Sequence, residues 1–225
     1  MKNRSVTLLA LLAANDRLGQ PEVHRTSLMK QAFLAETIRP LYRQWRRTFA
    51  FVRYRYGPYS EEVFQRLDTL IFNGLAEVAT FDLLRGRIEA RYRITSAGRF
   101  ILKQVDANEI AELATDLVWA LQTLGIDQAS TISKLVYQEA EFARIFAEHT
   151  EAGIRAEAKV PLPVVTAANN ETLITLATLQ ELRKRKVDGH PDGEKFVLPT
   201  REAVRLFFEC LAIQVPRQRR NEQVA

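Results

Sequence analysis

Four arginines near the middle of the chain, Arg85, Arg87, Arg91 and Arg93, fall in the run LLRGRIEARYRIT. Arg87, Arg91 and Arg93 are separated by even numbers, so on an extended strand they project from one face. A guanidinium presents a planar fork of N–H donors that fits a phosphate with two parallel hydrogen bonds. Three on one strand face are suited to contacting a nucleic-acid backbone. The plainer alternative is a solvated strand whose arginines pair with Asp82 and Glu89. A second group, Arg43, Arg46 and Arg47 around Trp45, leads into Arg53 and Arg55 and would extend the basic face. Trp45, Phe51 and Tyr54 could stack on bases, but aromatic rings interleaved in this way read more readily as core.

No other constellation carries chemistry. His24, His149 and His190 are far apart and have no carboxylate at ligand spacing, so neither a metal nor a catalytic histidine is expected. Cys210 lies in an apolar stretch and reads as an inert buried thiol. As the only cysteine it cannot close an internal disulfide, which fits a reducing cytoplasm. The glycine-bearing run DGHPDG at 188–193 lacks the Gly-Lys-Ser/Thr ending of a phosphate loop, and no nucleophile elbow or dinucleotide signature occurs. The expectation is a protein that is not an enzyme and needs no cofactor.

The elements that must position the arginines follow from periodicity. Leu8, Leu9, Leu11 and Leu12 predict the apolar side of an opening amphipathic helix, too short to cross a bilayer. Thr26 or Ser27 is the expected cap of a second helix, Leu28 to Ile38, stopped by Pro40. A strand from Phe49 ends at Gly57-Pro58, and Ser60 caps a third helix with Val63, Leu67, Leu70 and Ile71 as its buried stripe. Gly74 suits a left-handed C-terminal cap. Ala76 to Leu83 and Ile88 to Ile94 predict a hairpin, and Thr95 caps the next helix. This order predicts a mainly α protein with a small β-sheet (α+β): a winged helix-turn-helix at 1–107 followed by a helical C-terminal region.

Beyond it, 108–158 reads as a helical extension packing on that domain, and KVPLPVVTAANN at 159–170 as a linker or docking arm. Residues 171–215, with Leu173, Phe207, Phe208 and Leu211, read as a helical dimerisation or partner-binding region. Charge separates the halves. Residues 1–107 hold 18 Lys/Arg against 10 Asp/Glu, whereas 108–225 hold 14 against 17. A basic first half suggests a polyanionic partner. The helix at Ser60 speaks against this, because Glu61 and Glu62 open it and only Gln65, Arg66 and Thr69 suit base reading. DNA contact would then rest on the hairpin and on Ser27, Lys30 and Gln31 of the second helix.

The run Tyr56-Gly57-Pro58-Tyr59-Ser60-Glu61-Glu62, the Gly74-Leu75 pair and Ile94-Thr95-Ser96-Ala97-Gly98 resemble the Panacea antitoxin domain family. Leu28 to Glu36 is similar to that family's K-L-x-F-L-A helix, and Ile132 to Tyr137 to its L-x-x-V-Y segment. The resemblance spans about residues 5–145 and implies a winged-helix core of the kind found in bacterial regulators and antitoxins. Taken with the arginines and the basic first half, it leads to two expected functions, the first ahead of the second. One is a cytoplasmic transcriptional regulator that binds double-stranded DNA as a homodimer, at a toxin–antitoxin or phage-defence locus. The other is an antitoxin-like module that neutralises a protein partner without touching DNA.

Overall fold

Helix α1 (Asn3–Arg17) is the hub of the molecule, and every residue from Ser5 to Ala14 is buried. The expected one-sided helix is therefore corrected. A helix apolar all round has no solvent face to give up and is stable only when neighbours enclose it. Those neighbours are α2 (Arg25–Ile38), α3 (Glu61–Phe72), α4 (Ser96–Gln104), α5 (Asn108–Thr123) and the central strand of a sheet. This computed structural model describes residues 3–42, 48–54, 57–84, 87–126, 131–132, 160–161, 198–209 and 212; at 3, 53–54, 57, 83–84, 87–88 and 160–161 the backbone alone is described. The chain is α+β, mainly helical with small antiparallel sheets.

One sheet has the order β1-β5-β4, from β1 (Val23–His24), β4 (Ala76–Leu84) and β5 (Arg87–Ile94). Two residues before α2 are too few for periodicity to reveal, so β1 was not expected. It nevertheless puts β5 in the middle of the sheet, with Val23 opposite Tyr92 and His24 opposite Arg91. Ala90, Tyr92 and Ile94 face the core, while Arg91 and Arg93 face solvent, as strand alternation requires.

The second sheet corrects the strand expected from Phe49. β2 (Val52–Tyr54) pairs antiparallel with β3 (Gly57–Tyr59), so Pro58 lies within a strand opposite Arg53. Proline has no N–H for a ladder, and β3 is an edge in the order β3-β2-β6. Strand β6 (Val160–Pro161) belongs to the proline-bearing segment read as a linker or docking arm, and these two residues dock on β2. Phe49, Phe51 and Phe33 are buried together, with edge-to-face contacts at 5.3 and 6.4 Å, so Phe51 is core.

The hairpin β4–β5 is fastened at its root by two of the sequence motifs. α3 closes on Gly74 at φ +67°, the Gly74 N–H reaches the Ile71 carbonyl, and the Leu75 N–H reaches that of Leu70. That pair of bonds satisfies the last orphan carbonyls of the helix and needs a left-handed residue. The Thr95 hydroxyl donates to the Gly74 carbonyl at 2.7 Å and accepts from the Gly98 N–H at 3.0 Å, capping α4. At Gly98 a Cβ would stand 2.0 Å from the Leu75 carbonyl oxygen. Gly74-Leu75 and Ile94 to Gly98 are thus two halves of one joint.

A helix at 200–209, here α6, begins after Pro199, whose carbonyl accepts from Ala203. Ala203, Val204, Phe207 and Phe208 are fully buried in the common core. The chain itself covers Phe207 and Phe208, which corrects their assignment to a dimerisation face. Leu173, Leu211 and Cys210 lie outside the described residues, as do 127–130 and 133–158 of the expected helical extension. No described helix is long and apolar enough to cross a membrane.

Candidate interaction face

The expected nucleic-acid contacts fall into three groups. Ser27, Lys30 and Gln31 are buried on α2, and this corrects their assignment to a DNA-contacting surface. Gln31 and Asn15 exchange side-chain amide bonds of 2.9 and 3.2 Å, and Asn15 also donates to the Leu11 carbonyl. A buried amide needs such partners, because leaving it unpaired costs about 1–3 kcal/mol. Lys30 is only 3% exposed, and burial lowers its amine from 10.5 to about 8. α2 starts one turn earlier than expected, with His24 as its cap: the Thr26 N–H donates to His24 Nδ1 at 3.3 Å.

Arg43, Arg46, Arg47, Arg55 and Arg85 lie outside the described residues. Arg53 sits in β2 opposite Pro58, and Arg87 in β5 opposite Leu84, with their side chains not described. That leaves Arg91 and Arg93, both exposed on the outer face of the hairpin.

Their surroundings are mixed in sign. Arg93 stands opposite Glu77 and is ion-paired with it. His24 Nε2 lies 3.5 Å from Glu89, and Thr80 donates to Glu22 at 2.8 Å. Asp82 stands directly opposite Glu89, a like-charged cross-strand pair. Glu22, Glu77, Asp82 and Glu89 therefore share this face with His24, Arg91 and Arg93, and no continuous cationic strip forms among the described side chains.

Helix α3 would be the groove-reading helix of a winged helix. Ser60 occupies its N-cap position as expected, but the serine hydroxyl makes no capping bond. Glu62 stands in the first turn, where the positive helix end favours a carboxylate, and Arg4 of α1 pairs with it at 3.0 Å. Val63, Leu67 and Leu70 are buried. The opposite side exposes Glu61, Gln65, Asp68 and Phe72, which at spacings of four, three and four residues make one stripe. Of the expected readers Gln65 lies on it, Thr69 is exposed beside it, and Arg66 is half-buried. Thr69 donates to the Gln65 carbonyl within the helix. Phe72, at the end of the stripe, is 91% exposed.

Other aromatic side chains are also exposed in whole or part. Phe64 packs on Tyr59 at 5.7 Å and carries the Arg25 guanidinium 4.0 Å above its ring. Phe81 on β4 is 64% exposed, and Phe100 on α4 is exposed to a similar degree. Sequence reading missed Phe72 and Phe81. The i, i+4, i+7, i+11 spacing that unites Phe72 with Glu61 was available, but only the packing shows which side of the helix is covered.

At the far side, the Tyr42 hydroxyl donates to the buried Asp116 carboxylate at 2.9 Å, and Arg201 of α6 approaches it at 3.2 Å. Burial raises the Asp116 carboxyl above its ordinary range, with Tyr42 and Arg201 opposing that shift. Arg201 also lies 4.4 Å over Trp119, so this group is a clasp between α5 and α6. No protein-family model matches the chain, and no curated protein proves similar to it.

Proposed function

We propose that this chain is a non-enzymatic, cytoplasmic protein-interaction module, a winged-helix-like unit that grips and neutralises another protein in the manner of an antitoxin. The single observation that carries the reading is the solvent stripe of α3, which presents Glu61, Asp68 and the bare ring of Phe72 and holds no cation. A stripe with two carboxylates would meet phosphates with like charge, whereas a bare aromatic ring is the kind of anchor that a protein partner buries. The order α1–β1–α2–α3–β4–β5, with β5 central and the β2–β3 pair inserted between α2 and α3, supports the winged-helix part of the reading.

Contact with double-stranded DNA is the second reading, and Arg91 is the observation in its favour. It is exposed on the outer hairpin face and has no ion pair among the described residues. Affinity purification of the full chain from its native cell separates the two. The protein-binding reading expects one stoichiometric partner, lost on Phe72→Ala with Asp68→Lys, and an ultraviolet absorbance ratio free of nucleic acid. It is overturned if the chain binds mixed duplex DNA with a log–log salt slope of about −4 and loses that binding on Arg91→Ala with Arg93→Ala.

A further inference from the structure

Strand β4 runs nine residues, about 30 Å at 3.4 Å per residue, and among the described residues it pairs on one side only, with β5. Long edges are usually blunted by charge, bulges or covering segments, because their open N–H and C=O groups invite another strand. β4 has a register shift between Val78 and Thr80, but Thr80 to Leu84 beyond it pairs residue for residue with Arg91 to Arg87. Its two faces differ. Val78 and Phe81 lie opposite Tyr92 and Ala90 on the inward side, yet remain 45% and 64% exposed. Glu77, Thr80 and Asp82 lie on the outward side with Glu22 and Glu89. Arg93 neutralises Glu77 and His24 Nε2 lies 3.5 Å from Glu89, while Asp82, directly opposite Glu89, has no ion pair among the described residues.

We propose that the open edge of β4 is a strand-addition site for an extended segment of a partner protein that alternates lysine or arginine with apolar residues. The proposal rests on the protein-binding reading and names the chemistry of the partner. Alternation puts every second side chain of an added strand on the outward side, where a cation beside Asp82 relieves its repulsion with Glu89. The intervening side chains fall beside Val78 and Phe81 and cover them. Backbone bonds supply affinity, and the two faces supply selectivity. A second copy of this chain fits poorly, because an antiparallel register that stacks Val78 on Phe81 places Glu77 against Asp82.

The test is fluorescence anisotropy of the full chain with a short labelled peptide alternating lysine and valine, at low salt. Three controls keep the chemistry but change one property: alternating glutamate and valine, the same lysines and valines in two blocks, and the alternating peptide N-methylated at every second residue. The alternating lysine–valine peptide is expected to bind, and each control to bind roughly tenfold more weakly or worse. Asp82→Lys and Phe81→Ser are each expected to weaken the first peptide about tenfold, with unchanged circular dichroism. Equal binding of the N-methylated peptide, which uses the unmodified protein alone, overturns the proposal, as does no binding at all. If Phe72→Ala abolishes capture of the cellular partner while the peptide never binds, the edge site falls and the protein-binding reading stands. If duplex DNA displaces the peptide with a steep salt dependence, both fall.

Discussion

Helix α2 and the β4–β5 hairpin both carry polar residues of a kind that could contact DNA, and the fold treats them in opposite ways. On α2 they are turned inward: Gln31 closes on Asn15, and Lys30 is buried at a cost visible in its lowered amine. On the hairpin they are turned outward, but alternate with carboxylates that offset them. The difference teaches that residue type sets what a group can bind, while its neighbours decide whether it is presented. A polar residue on an enclosed helix must find a partner inside, whereas one on a half-exposed strand keeps water as an option.

The comparison can be broken most severely at the hairpin root. Gly98→Ala drives a methyl into the Leu75 carbonyl, a backbone atom that cannot swing away. A loss of about 3 kcal/mol is expected in urea unfolding, and a change near zero would show that the joint is looser than described. Lys30 gives the next largest effect. Its folded amine titrates near 8 against 10.5 unfolded, so between those values the unfolded chain holds more protons and stability rises with pH. The slope approaches 1.4 kcal/mol per pH unit at most. Tyr92, whose phenol burial pushes up, acts in the opposite sense at higher pH, so the window to measure is 8 to 10. Lys30→Met should flatten that rise; an unaltered slope sinks the assignment.

Gln31→Leu comes third. It strips Asn15 of its amide partner inside the core and should cost about 1–3 kcal/mol, whereas Asn15→Leu combined with Gln31→Leu should cost less than the two single changes together. If Gln31 faced solvent, the single change would instead be nearly silent. Smallest are the outer residues: Phe72→Ala and Arg93→Ala should each move stability by less than about 0.5 kcal/mol. A large loss from Phe72→Ala would mean that the ring is covered and the proposed stripe is not a surface.

Much of the architecture could be read from local signals. Gly74 at a left-handed cap, Thr95 at an N-cap and the alternation of β5 each follow from the conformational needs of one or two residues. The misreadings share a physical cause. β1 is two residues long and owes its existence to β5. The Gly57-Pro58 step looked like a turn but lies in a strand, because β3 is an edge where a missing N–H costs nothing. For α1 and α2 a leucine pattern cannot say that solvent is excluded on every side; that depends on α5, far along the chain.

By itself the amino-acid order determined the α+β class, most helix positions, the caps that join α3 to α4, and the side of β5 on which Arg91 and Arg93 lie. These depend on short-range sterics and hydrogen bonds, which act over a few residues. Tertiary structure alone decided that Ser27, Lys30 and Gln31 are enclosed, that Phe207 and Phe208 belong to the chain's own core, and that Phe72 and Phe81 stay bare. Burial is a property of what packs against a residue, and those neighbours come from segments dozens to more than a hundred residues distant.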